Sequence, residues 1–312
     1  MSDSPASEYV VHPPSPKDDG KSGHGVGHRD VLPQESALGA PQDFLNNRFV
    51  YLVISARARG LSVGVNMSPS KLCSFDCPYC EVNRATPARE THLDVDAMAQ
   101  ELEQTINYVR SDRIHEHPRL GALPRELTTL RHVALSGHGE PTLCPNFVET
   151  VQAITHLRAL GRVPFFKMVL ITNGTGLDTD SVQSGLKYFT HNDEIWAKLD
   201  AGTQEYMDLV NRSQVKLEKV LANILMIGRQ RAIIIQSLFA SFGGLEPPPE
   251  EIEQYAHRLR ELKKGGAQIS LVQIYSATRP VHNADCRHLP LRVLSRIAQT
   301  VRNATGLRVE VF

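Results

Sequence analysis

This sequence has no excess of charge of either sign: over 312 residues, 34 Lys+Arg stand against 34 Asp+Glu, so the formal charge is zero. A chain that wraps nucleic acid by bulk electrostatics is therefore disfavoured, while a local basic face stays open. Long apolar runs are missing as well. None approaches the roughly 18 residues that a bilayer crossing needs. Met1 is followed by neither a basic nor an apolar segment, so no secretory signal is expected. Cysteine is scarce, with five in the chain, at 73, 77, 80, 144 and 286. So few thiols without a secretory signal argue against a disulfide framework and for a reducing compartment. What remains, at 41% hydrophobic and 22% charged residues, has the composition of a soluble globular protein. A cytoplasmic enzyme with no membrane association is expected.

The first 45 or so residues differ from the rest. Six of the 19 prolines fall in the first 41 positions, among Ser, Asp and Gly and without sustained periodicity, which predicts a disordered tail. Its Gly-His-Gly-Val-Gly-His stretch (His24, His28) could bind a metal, but flexible filler is the simpler reading. From Phe49 onward, apolar or β-branched runs at 63–67, 132–135, 168–171, 195–199, 232–238 and 269–274 alternate with helical patterns. Val95, Met98, Leu102, Ile106 and Val109 lie on one helical face. Leu217, Val220, Leu221, Ile224 and Leu225 form another, closed by Gly228. Ile252, Tyr255, Ala256, Leu259 and Leu262 follow the prolines at 247–249 and stop at Gly265-Gly266. Leu291, Leu294, Ile297 and Val301 make the last, ended by Gly306. Residues 49–54 are an additional strand or an N-terminal lid. Six strand–helix units predict an α/β fold, a partial (β/α)6 barrel of parallel strands over residues 46–312, with working residues on loops beyond the strands' carboxyl ends.

Directly after the first of these strands comes Cys73-Ser-Phe-Asp-Cys77-Pro-Tyr-Cys80. Three thiolates on one short loop can hold three irons of a cuboidal iron–sulfur cluster and leave the fourth open to a ligand. Structural zinc is the alternative. It needs four closed ligands, usually as two pairs, and here Cys144, Cys286 or a distant His would have to complete it.

The cysteine spacing, with the aromatic Tyr79 before the last thiol, resembles the signature of the radical S-adenosylmethionine (radical SAM) superfamily. The resemblance implies a 4Fe–4S cluster on Cys73, Cys77 and Cys80 whose open iron is chelated by SAM. It also implies a reducing partner such as flavodoxin or ferredoxin, and an oxidoreductase-type reaction begun by a 5′-deoxyadenosyl radical.

Five further features accompany the resemblance. Ser136-Gly137-His138-Gly139-Glu140-Pro-Thr142 is similar to the family's glycine-glycine-glutamate element, with His138 inserted. Gly137, Gly139 and Glu140 would then hold the methionine amino group of SAM. Thr172-Asn173-Gly174 ends the third strand, where polar contacts to SAM are implied. On the fourth strand, Lys198 and Asp200 alternate onto one side and are expected to converge on the cavity; a rim ion pair is the other reading. Gln236 is a buried polar residue in an apolar run and a candidate nucleoside contact, with packing the alternative. Arg279 is expected to clamp an anionic group or to form a surface pair. Cys144 and Cys286 follow strands two and six and read as small buried hydrophobes.

The stretch 64–73 and the Gly-His-Gly-Glu-Pro-Thr motif resemble the branch that contains the wyosine-forming, tRNA-modifying enzymes. Yet Arg110, Arg113, Arg119, Arg125 and Arg131 are spread among acids and prolines, and RNA affinity rests on phosphate neutralisation. A small-molecule or peptide-like substrate is expected over tRNA.

Overall fold

A computed structural model describes residues 44–312 except 112, 119, 279, 280, 282 and 284. Most of the expected N-terminal tail, with His24 and His28, lies outside the described residues, as does Arg279. Phe44 is already buried and packs edge-on against Tyr108, ring centroids 5.4 Å apart.

The sheet begins with an antiparallel hairpin, β1 (Val50–Ser55) and β2 (Gly60–Asn66). Helix α1 (Val95–Arg110) and the short α2 (Arg125–Thr128) precede β3 (Leu130–Ser136), and α3 (Phe147–Ala159) leads to β4 (Met168–Thr172). Then come α4 (Asp180–Leu186), β5 (Glu194–Lys198), α5 (Gln204–Val210), α6 (Leu217–Gln230) and β6 (Ile233–Leu238). The chain closes with β7 (Ala240–Phe242), α7 (Pro249–Lys264), β8 (Ile269–Tyr275), β9 (Cys286–His288), α8 (Leu291–Thr305) and β10 (Val309–Val311). The large sheet runs β1-β2-β3-β4-β5-β6-β8-β10, parallel throughout except for β1; β7 and β9 pair separately. All six strands expected from the sequence are neighbours in that order. Residues 49–54 supply the edge strand β1, and the three-residue β10 adds a parallel strand that periodicity did not reveal.

Period-two alternation sorts the strands into two faces. Val63, Val65, Val133, Leu135, Met168, Leu170, Ile195 and Ile235 belong to the large core beneath the helices. The opposite face carries Ser62, Gly64, His132, Ala134, Lys198 and Gln236, which line an interior cavity. A small apolar cluster of Val169, Trp196 and Ile234 fills part of this inner side, with Ala58 of the hairpin tip packed against it. The hairpin is fastened across the sheet's open side by Arg59–Glu310, 2.9 Å from tip to β10.

Helix α1 shows how local sequence sets this up. Asp94 caps it by accepting from the Ala97 N–H at 3.0 Å, and Met98, Leu102, Ile106 and Val109 turn one buried face to the core. Helix α8 ends as expected at Gly306, whose φ of 63° suits a left-handed cap. Helix α6 differs from expectation: Gly228 does not close it, and the helix runs on to Gln230. Gly228 is there for contact, since a Cβ at that position would stand 2.7 Å from the Ala267 side chain. Among the described residues, no helix is long and apolar enough to cross a membrane.

Leu102 is fully buried between α1 and the sheet. Leu102→Ala is expected to lower the unfolding free energy by about 2–5 kcal/mol in urea titration. A loss below about 1 kcal/mol would mean that α1 does not pack on the core as described.

Candidate functional site

Residues 67–94, between β2 and α1, form no regular element, so their backbone is held from outside. Leu72 accepts from the Glu140 N–H at 2.8 Å and from Ser68 Oγ at 3.0 Å. Asn173 Nδ2 donates to Ser74 Oγ at 2.9 Å, and Ser213 Oγ to the Ser74 carbonyl at 2.9 Å. The Asp76 N–H donates to the Asn211 carbonyl at 2.8 Å. Two glycines permit the close approach of the β3 loop. A Cβ on Gly139 would lie 2.0 Å from the Leu72 carbonyl oxygen, and one on Gly137 (φ 135°) 2.2 Å from Asn66 Oδ1. Asn66 ties the same loop by accepting from the His138 N–H at 3.0 Å.

Cys73, Cys77 and Cys80 all line a cavity of about 540 Å³ on the inner face of the sheet. Cys73 Sγ accepts from the Phe75 N–H at 3.4 Å and from Asn173 Nδ2 at 3.7 Å; Cys77 Sγ accepts from Asn211 Nδ2 at 3.5 Å. N–H groups aimed at sulfur are the surroundings that stabilise metal-bound thiolates. Burial pushes the Cys73 thiol up and the Cys77 thiol up to about 12. Among the described residues, no three His, Cys, Asp or Glu side chains already form a metal-binding group. The thiols therefore share a loop and a cavity wall rather than a finished cage. Cys144 and Cys286 are buried in the core and do not line this cavity.

The other expected site residues divide by what they touch. Glu140 is buried, and its carboxylate accepts from the Thr142 N–H (3.1 Å) and hydroxyl (2.7 Å), the Thr172 hydroxyl (2.5 Å) and the Asn173 N–H (2.8 Å). Burial raises its carboxyl even so. Glu140 and Thr172 thus lock the β3 and β4 loops together beside the cysteines.

Lys198 and Asp200 meet on one side, as the alternation expects, with Lys198 on the cavity wall and Asp200 buried behind it. The side chain of Asp200 is fully buried, accepting from the Tyr79 hydroxyl, from Asn211 Nδ2 at 3.0 Å and from the Leu238 N–H at 2.8 Å. Lys198 Nζ lies 3.5 Å from Asp200. Burial opposes the ammonium charge, but Asp200, with smaller contributions from Tyr275 and Cys77, raises Lys198 and keeps it charged. Tyr79 is thereby fixed, its phenol pushed up by burial and by Asp200. Gln236 faces the cavity and donates to Gln273 Oε1 at 3.0 Å, each satisfying the other across β6 and β8.

Sequence reasoning missed several residues. Asn211 holds the cysteine loop from outside, and Asn66 holds the β3 loop through His138. Arg84 is raised by Cys73, Cys80 and Asp76 against the opposing effect of burial. Arg57 and Tyr275 stack at the cavity wall, guanidinium carbon 4.0 Å above the ring centroid. The polar alternation Ser62-x-Gly64-x-Asn66 was a legible signal for Asn66. Nothing marks Asn211, which stands at the end of a seven-residue helix.

No family model matches the chain. Among curated proteins it is 29% identical over 185 residues to a UPF0026 protein of Helicobacter pylori, covering 58% of this chain and 52% of that one. It is 23% identical over 216 residues to a UPF0026 protein of Methanocaldococcus jannaschii, covering 67% and 59%. The chain thus spans little more than half the length of these relatives. Among solved structures it is similar to a radical SAM methyltransferase from Sphaerobacter thermophilus, with a TM-score of 0.57 and 15% identity over 84% of this chain and 68% of the other. It is also similar to Streptococcus suis SuiB bound to S-adenosylmethionine, at 0.54 and 15% over 78% and 49%. TYW1 with a lysine–pyruvate adduct matches at 0.52 and 16% over 80% and 75%. The open parallel sheet of this chain is the fold of radical SAM enzymes.

His132 faces the same cavity, hydrogen-bonded to Ser62 at 3.0 Å and packed edge-on to Trp196. Burial, with Lys167 nearby, lowers it from 6.5 to about 3. The unfolded chain therefore takes up this proton first. The neutral ring's stability contribution is complete above pH 6.5 and is lost as pH falls toward 3. His132→Phe should flatten the pH dependence of urea-unfolding midpoints in that window. An unchanged slope would show that the ring is not buried neutral.

Proposed function

We propose that this chain, on the fold it shares with radical SAM enzymes, holds one 4Fe–4S cluster on Cys73, Cys77 and Cys80 and reductively cleaves S-adenosylmethionine. The observation that carries the reading is the cavity wall itself. Three thiols, each from the one irregular loop, line it where the β3 and β4 loops meet, and the other two cysteines are buried away from it. The donor set suits a cluster with one open iron, and the N–H groups on Cys73 and Cys77 suit thiolate ligands. A cluster bound there would pass one electron to SAM, giving methionine and a 5′-deoxyadenosyl radical that abstracts a hydrogen atom from substrate.

The chain's own residues do the holding. Asn173, Asn211 and Ser213 fix the loop's direction, and Gly137 and Gly139 let the β3 loop close on it. Tyr79, anchored by Asp200, sets the loop's inner end. With Glu140's oxygens already bonded, the ammonium of SAM would join Thr142, Thr172 and Asn173 as a further donor to that carboxylate. Gln236 and Lys198 stand where a nucleoside or substrate would lie. A flavodoxin- or ferredoxin-like protein would supply the electron.

The balance of 34 Lys+Arg against 34 Asp+Glu, with no dense basic run, favours a small-molecule or peptide-like substrate over a polyanion. The tRNA-modifying alternative draws on the motif resemblance and on the likeness to TYW1; a steeply salt-dependent tRNA affinity would favour it. Anaerobic reconstitution should load about four iron and four sulfide per chain, with 5′-deoxyadenosine formed from SAM under dithionite. Cys73→Ala, Cys77→Ala or Cys80→Ala should abolish loading, and Cys144→Ala or Cys286→Ala should not. Stoichiometric zinc without SAM cleavage would establish instead a zinc-bearing binding module.

A further inference from the structure

The hairpin wall of the cavity carries chemistry that the cluster and SAM do not account for. We propose that it is an oxyanion subsite, in which Arg57 and Lys198, standing over one ring, that of Tyr275, take a carboxylate or phosphate group of the substrate. The inference rests on the reading of this cavity as the reaction chamber.

Arg57 sits on the β1–β2 turn and its direction is fixed. The Ala58 N–H donates to Ser55 Oγ at 3.2 Å, the Arg59 N–H to the Ala56 carbonyl at 3.0 Å, and Arg131 Nε to the Arg59 carbonyl at 2.9 Å. Ala58 packs against the Trp196 cluster. From this anchored tip the Arg57 guanidinium lies 4.0 Å over the Tyr275 ring. It meets no carboxylate among the described residues, and its Nε is buried without a hydrogen-bond partner. A guanidinium stacked by its face keeps its planar N–H edge available, the edge that matches carboxylate and phosphate. A buried donor left unpaired is a rare feature that a ligand would relieve.

Lys198 Nζ stands 5.7 Å from the same ring centroid and 3.3 Å from the Tyr275 hydroxyl. Its approach to Asp200, 3.5 Å, is longer than a direct charge-assisted hydrogen bond, so the ammonium keeps capacity for a second anion. Arg84 also lines the cavity with an unpartnered Nε, but it stands by Cys73, Cys80 and Asp76 at the cysteine loop and not at the hairpin wall. Glu140 is bonded internally, His132 is neutral, and Lys71 is spent on the Asn83 and Thr86 carbonyls at 2.7 and 2.9 Å.

The chain has one tryptophan, Trp196, next to this wall, so its fluorescence reports occupancy. The full-length protein is titrated with inorganic phosphate and, separately, with succinate, at constant ionic strength and without SAM or reductant. A saturable change at millimolar probe is expected, and the tighter probe assigns the group. Arg57→Met should weaken it roughly tenfold or more, Arg57→Lys less, and Arg59→Met, on the same turn, not at all. No saturable response to either probe, or equal affinity in Arg57→Met, overturns the proposal. In the reconstituted protein the response should persist with SAM present; its loss there would show that the anion site is that of the SAM carboxylate, which also overturns it. Because the first arm needs neither cluster nor SAM, its failure is distinct from a failure to load iron or cleave SAM.

Discussion

An irregular loop must be held still by groups that belong to other elements, and the site depends on that constraint. Residues 67–94 have no ladder or helix of their own to satisfy their backbone. Their partners come from three connections: Glu140 after β3, Asn173 after β4, Asn211 and Ser213 after α5. Each of those partners is itself pinned, Glu140 by Thr172 and the Asn173 N–H, Asn211 by Asp200. The thiols are thus placed by a network spanning three βα connections. A change in any one of these connections would be felt at the cysteines.

The same network explains why buried charge is tolerated here. Asp200 has no exposed side-chain area, yet it receives a phenol, an amide, a backbone N–H and a nearby ammonium. A carboxylate so surrounded is compensated, whereas removal of one partner leaves the others buried without theirs. Gln236 and Gln273 solve the same problem as a mutual pair inside the sheet. Polar residues on the inner face therefore give the cavity its character without destabilising the fold. The apolar outer face, under the helices, supplies the burial that holds the sheet.

Much of this was legible in the sequence. The strands were marked by apolar runs, and the helices α1, α7 and α8 by one-faced periodicity, with the prolines at 247–249 and Gly306 as boundaries. The cysteine, glycine-rich and Thr-Asn-Gly motifs fall on one cavity because parallel strands bring their carboxyl ends to one side. What was not legible depends on contacts between distant segments. Asp200 shares a side with Lys198 as alternation expects, but its bonds to Tyr79, Asn211 and the Leu238 N–H, which hold it behind the wall, could not be read from it. Gly228 reads as a helix stop but serves the approach of Ala267 to α6. No pattern in the sequence singles out Arg57, and only the folding of the hairpin over Tyr275 brings it to the wall.

The proposed chemistry needs three thiols to share one cluster whose remaining iron is open to SAM. Electron paramagnetic resonance of the reconstituted, dithionite-reduced protein tests this most directly. A reduced-cluster signal whose g values shift on adding SAM is the predicted result. A signal that SAM leaves unchanged, or no cluster signal from protein that has taken up its full iron and sulfide, would contradict it.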